Sequence, residues 1–159
     1  MSRLFICGCV FLLSMLFAGC STDSGAPVAA KGAEQDLIVG VVQDFFQALE
    51  ARERVRLERV LHEDAQLTSI DTRGDTVAVS TSAGSDWILS VSEPGPPLIE
   101  RMDDVHVQFA GGLANVWAHY TFHIGEELSH CGHDAFQLVK SGSGDWRILG
   151  VTYTIEACR

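Results

Sequence analysis

The stretch LANVWAHYTFHIGEELSHCGHDAFQLVK, from Leu113 to Lys140, decides the fold. Ala114, Val116, Ala118, Tyr120, Phe122 and Ile124 alternate with Leu113, Asn115, Trp117, His119, Thr121 and His123. That period of two predicts a long strand with one mostly apolar face. GEE at 125–127 turns the chain into a hairpin, and SGSG at 141–144 turns it again. With Ile124 opposite Leu128, Thr121 faces Cys131, His119 faces His133 and Ala118 faces Asp134. With Leu138 opposite Trp146, Phe136 faces Ile148, Asp134 faces Gly150 and Cys131 faces Tyr153. A slip of one residue would exchange the faces.

Upstream, Val105, Val107 and Phe109 alternate with His106 and Gln108, and Gly111–Gly112 turns that strand into the next. From Asp36 to Ala51 the period changes to helical, with Leu37, Ile38, Val41, Val42, Phe45, Ala48 and Leu49 on one stripe and Phe46 just off it. A shorter helix is expected over Glu53 to Leu61. Its run RERVRLER interleaves glutamates with Arg54, Arg56 and Arg59 and reads as a solvated face. HEDAQLTSID gives a weak strand and TVAVS, at 76–80, a second one. Gly84 and Ser85 begin a third helix burying Trp87, Ile88 and Val91, and PGPP ends it. Helices first and then a meander of long strands mean α+β. A curved antiparallel sheet folding around the helices would bury the Leu37–Leu49 stripe.

The chain has 159 residues, 47% hydrophobic and 20% charged, which is enough for one packed domain and a targeting segment. MSRLFICGCVFLLSMLFAGC opens with Arg3 and an apolar run, the layout of a secretory signal. Its ending, FAGC, resembles the lipobox of bacterial lipoproteins, which implies acylation of Cys20 as the mature N-terminus. Ordinary cleavage without a lipid is the other reading. Cys7 and Cys9 leave with the leader either way. Residues 20–33, polar and rich in small side chains, read as a flexible tether, and 34–159 as the domain. The expected location is the bacterial cell envelope, lipid-anchored on the periplasmic or extracellular side of a membrane. A formal charge of −10 argues against nucleic acid, whose phosphates need a basic patch.

DFFQALEARE, HEDAQL and GDWRI resemble the nuclear transport factor 2-like superfamily, in particular its lumazine-binding-like and SnoaL-like branches. PLIERM, ANVWAHYTF, SHCGHDAFQLVK and YTIEAC resemble one bacterial subfamily within it. The resemblance covers about residues 34 to 158. It implies a cone: a strongly curved antiparallel sheet with the N-terminal helices packed on its concave face. The superfamily includes isomerases, dehydratases, hydrolases and binding modules, so the fold does not choose a function. No catalytic residue set carries over.

Besides Cys20, the only cysteines after the leader are Cys131 and Cys158, and in an oxidising compartment two such cysteines pair. In the register above the chain must curl back near Glu156 to bring them together. Four histidines, His119, His123, His130 and His133, lack the ligand number and spacing of a zinc site. They are expected on the outer sheet face beside Trp117, where proteins of this fold often dimerise, so a homodimer through that face is the expected assembly. No metal or other cofactor is called for. Asp134 and Tyr120 fall on the helix-facing side as a candidate pocket. An acid in an apolar cleft can transfer protons, and Tyr120 could donate to an oxyanion. Alternatively Tyr120 simply satisfies a buried Asp134. Trp87, Trp117 and Trp146 read as packing. The expected function is binding of a small, partly apolar molecule, or a protein contact, without catalysis. The alternative is a proton-transfer isomerase, dehydratase or hydrolase.

Overall fold

The structure, a computed structural model, describes residues 28–158. Cys20 and the leader lie outside the described residues. The order is α1 (Val28–Glu50), α2 (Arg54–Val60), β1 (Leu61–Asp71), β2 (Ala78–Ala83), α3 (Gly84–Val91), β3 (Leu98–Ala110), β4 (Leu113–Ile124), β5 (Glu127–Lys140) and β6 (Trp146–Ile155). The helix α1 starts at Val28 and so takes in residues 28–33, which the sequence assigns to the tether. Ala29, Ala30, Lys31, Ala33 and Glu34 are all good helix formers.

The strands form one curved six-stranded sheet in the order β2-β1-β6-β5-β4-β3. Four of the five strand pairs are antiparallel; β1 and β6 run parallel. A parallel pair needs a long crossover, and here everything from β2 to β5 supplies it.

The helices cover the sheet face predicted to be apolar. Ile38, Val42, Phe45, Phe46 and Leu49 of α1 are buried in one cluster with Val116, Phe136, Leu138 and Ile148. Phe46, expected beside the stripe, is inside it, edge-on to Phe136 with ring centroids 5.7 Å apart. Leu37, expected on the stripe, is 61% exposed. The buried face is thus centred on the 38–42–45–46–49 row, a few tens of degrees round the helix from the expected one.

Two polar side chains fasten the helices. Glu34 Oε1 accepts from Trp146 Nε1 and from Lys140 Nζ, each at 2.6 Å, which ties α1 to the β5–β6 hairpin. Arg52 sits at φ 54 just after α1. Its N–H bonds Leu49 O and the next N–H bonds Ala48 O, closing the helix in a Schellman turn. Its guanidinium then donates to Val91, Glu93 and Pro96 carbonyls at 2.8, 2.9 and 2.9 Å. Any side chain at Gly95 would collide with it. Arg52 is therefore a staple between α1 and the PGPP loop, unlike Arg54, which pairs with Glu58 on the solvated face. Arg52→Ala should cost about 2 kcal/mol in urea melts, from lost charged hydrogen bonds. Arg52→Gly should cost about 1 kcal/mol less, because glycine relieves the left-handed backbone. Equal losses would show that the backbone is unstrained.

The β4–β5 register matches expectation from Ala118↔Asp134 through His119↔His133 and Thr121↔Cys131. A bulge after Phe122 then pairs Ile124 with Glu127 rather than Leu128. The β5–β6 register differs. Leu138 faces Ile148, Phe136 faces Val151 and Asp134 faces Tyr153, with a bulge between Gln137 and Leu138. The five-residue connection from Ser141 to Asp145 and the bulge both move β6 relative to the expected pairing. Glu156 thereby lands opposite Cys131, and no long curl is needed to reach Cys158. Cys131 and Cys158 form a disulfide with Cα atoms 5.2 Å apart.

Candidate functional site

A cavity of about 200 Å³ lies between the sheet and the helices, lined by Phe45 and Leu49 of α1, Trp87 and Val91 of α3, and side chains from five strands. Trp87, read from sequence as packing, forms part of this wall and stacks on Phe45 at 5.4 Å. Trp146 is in the core and Trp117 is 51% exposed on the outer face.

Asp134 and Tyr120 both line the cavity, as their strand faces require. They do not satisfy one another: Tyr120 Oη donates instead to Thr154 O at 2.6 Å. Gly132 makes this close approach possible, because any side chain there would run into the Thr154 carbonyl. Asp134 is 1% exposed, and its Oδ2 has no protein partner.

Asp134 has a carboxyl neighbour absent from the sequence reading. Glu100 of β3 reaches into the same cavity and shares a hydrogen bond with Asp134. Burial holds the Glu100 carboxyl well above the usual carboxylate range, and the charge of Asp134 raises it further. Burial pushes Asp134 up to about 7, offset in part by its bond to Glu100. Both carboxyls are thus raised, and the pair holds on to a proton that two free carboxylic acids would release. Two carboxyls this close cannot both ionise in an apolar space. Burial and the same two acids raise the Tyr120 phenol, so it stays neutral and committed to Thr154.

A bulge brings Glu100 inside. Counting back from Val107 and Phe109 by twos puts Glu100 on the outer face. Between Asp103 and His106, however, β3 carries one extra residue, with Asp104 at φ 49. The extra residue reverses the alternation. Leu98, Glu100 and Met102 then share a face with Val107 and Phe109. A bulge on β6 does the same for Val151, Tyr153 and Ile155, which continue the inward row of Trp146 and Ile148. The signal for Glu100 was the alternation Leu98, Glu100, Met102 inside PLIERM.

The histidines divide between the two faces. His133 stacks on Trp117 at 5.4 Å and His119 packs edge-on to His133, on the outer face as expected. His130 is corrected: it lines the cavity, stacked on Phe122 at 4.9 Å and edge-on to Tyr120. It pairs with Phe122, whose side chain points inward. Burial lowers its pKa, and nearby Arg73 lowers it further. Among the described residues, no group of three or more His, Cys, Asp or Glu is placed to hold a metal ion.

No family model and no curated protein matches the chain by sequence. Solved structures do match by shape. An NTF2-like protein from Cytophaga hutchinsonii is similar with TM-score 0.64 at 14% identity, covering 77% of this chain and 98% of that one. The β subunit of a putative aromatic-ring-hydroxylating dioxygenase from Novosphingobium aromaticivorans gives 0.65 at 13% identity, covering 82% and 94%. A putative scytalone dehydratase from the same organism gives 0.60 at 15% identity, covering 80% and 87%. The helices on a curved, unclosed sheet, with a cavity between them, are therefore the nuclear transport factor 2-like fold.

Proposed function

We propose that the domain binds a small, partly apolar molecule between the helices and the sheet. One observation carries this reading: an apolar cavity has in its wall the buried carboxyl of Asp134, whose Oδ2 lacks a partner. A buried polar atom without a partner costs about 1–3 kcal/mol, and a ligand donor would remove that cost. The volume of about 200 Å³ sets the ligand's size. A cavity of roughly 150 Å³ accepts benzene, so one ring with a short polar substituent fits. The domain is held at a membrane by lipid on Cys20, with the outer sheet face free to pair with a second copy. The leader layout and FAGC support the anchor, and exposed Trp117 supports the pairing. No described helix is long and apolar enough to cross a membrane itself.

A second reading has one specific observation in its favour. Glu100 and Asp134 are two carboxyls raised by burial in one apolar space, and paired carboxyls are groups that proton-transfer enzymes use. In that case one carboxyl takes a proton from substrate and the other returns one. Tyr120 is not the oxyanion donor, because its proton is engaged by Thr154. The similar fold of the putative dehydratase makes this class worth assaying.

Native mass spectrometry of protein taken from its own membranes tests the binding reading. A bound small molecule is expected, and Val151→Phe, which fills the cavity, should abolish it while the circular dichroism stays unchanged. A cargo that survives Val151→Phe would lie elsewhere and sink the proposal.

A further inference from the structure

The Glu100–Asp134 pair lacks a counter-charge. Among the cavity-lining residues there is no lysine or arginine. The basic candidate, His130, is half-buried beside Phe122, and its pKa is lowered. Buried charge is ordinarily paired. Around the two carboxyls the surface is aromatic: Phe45, Trp87, Phe122 and Tyr153 all line the same space. Ring faces attract cations, and most strongly where water is excluded. An anionic ligand would meet two carboxyls and no cation. A neutral ligand would leave the charge of the pair uncompensated.

We propose that the ligand is a small organic amine bound as its ammonium ion, with the ammonium toward the Asp134 side of the cavity and its apolar body against Phe45 and Trp87. This rests on the binding reading above and names its ligand class. Two carboxyls in one apolar space do not both ionise, so the amine meets a single negative charge. The groups facing Asp134 are few. Glu100 comes from β3, Tyr120 from β4, His130 from β5 and Tyr153 from β6, while α1 and α3 contribute only apolar and indole side chains. Glu156 and Arg73 act on this region from its rim. Of these groups, the carboxyl pair is the one that must lose a proton to receive a cation.

Isothermal titration calorimetry of the intact protein with benzylamine, benzyl alcohol and benzoate, at pH 6 and pH 8, tests this. Benzylamine is a cation at both pH values. It should bind about tenfold tighter at pH 8, following ionisation of Asp134 at about 7. At pH 6 its binding should release close to one proton, read from buffers of different ionisation enthalpy. Asp134→Asn should remove the pH dependence and the preference for amine over alcohol. Benzyl alcohol or benzoate binding as tightly as benzylamine would overturn the amine assignment and leave the binding reading standing. No binding by any of the three would overturn both.

Discussion

Asp134→Asn is expected to stabilise the protein at alkaline pH. Asp134 is buried against apolar side chains, and its folded pKa is raised from 3.8 to about 7. In the unfolded chain it ionises near its ordinary value. Between these two values the folded state holds a proton that the unfolded state has released. Stability from this group is therefore full at low pH and is lost as pH rises through about 7. Asparagine keeps the shape and cannot ionise. The stability difference, variant minus parent, should widen by about 2–3 kcal/mol between pH 5 and pH 8.5. For a domain of this size that widens the difference in melting temperature by roughly 10 °C between the two pH values. Groups that do not touch Asp134, including His130 with its lowered pKa, titrate in both proteins and cancel, whereas Glu100, raised in part by Asp134, relaxes downward in the variant. Urea melts at the two pH values measure it. A difference that stays flat across that range would mean Asp134 is not held protonated by burial, and the shared-proton arrangement would fail with it.

A residue whose removal stabilises a fold is usually kept for function. Asp134 is legible as such from sequence alone, since β4 alternates cleanly and the β4–β5 hairpin is regular as far as Phe122. Its small neighbour Ala118 was readable for the same reason. Glu100 was not. Its face depends on one inserted residue near Asp104, and alternation carries no mark of where a strand gains a residue. Tyr153 was misplaced for a similar reason, with a bulge in the middle of the β5–β6 pairing and a longer connection before it. The strands and helices themselves were plain in the pattern, because burial of one face writes a period into the sequence. Helix ends were less so: nothing apolar marks where α1 begins, and Leu37 shows that an apolar residue at a stripe edge need not be covered. Where two carboxyls meet across three strands, the decisive information is the registry between elements, which lies in no single segment.

Replacing Cys131 and Cys158 together by serine should cost about 3.5 kcal/mol. The bond joins residues 27 apart, and closing a loop of that length in the unfolded chain removes about that much conformational freedom. The loss should show as a fall of roughly 10–15 °C in melting temperature. A reductant should lower the parent by the same amount and leave the double variant unmoved. The effect should also reach the cavity. The disulfide fastens residues beyond β6, where Glu156 and Cys131 exchange both backbone hydrogen bonds, at 2.8 and 3.2 Å. Just inside that bridge, Ile155 lines the cavity and Thr154 O accepts the Tyr120 hydroxyl. Without the covalent tie the final residues of β6 are held only by the ladder and these side-chain bonds. Amide exchange should therefore accelerate first at Thr154–Glu156, before the rest of β6, and Tyr120 should lose its fixed hydroxyl partner. Exchange that speeds up evenly over the whole sheet would show that the bond acts through the unfolded chain alone and does nothing to shape the rim.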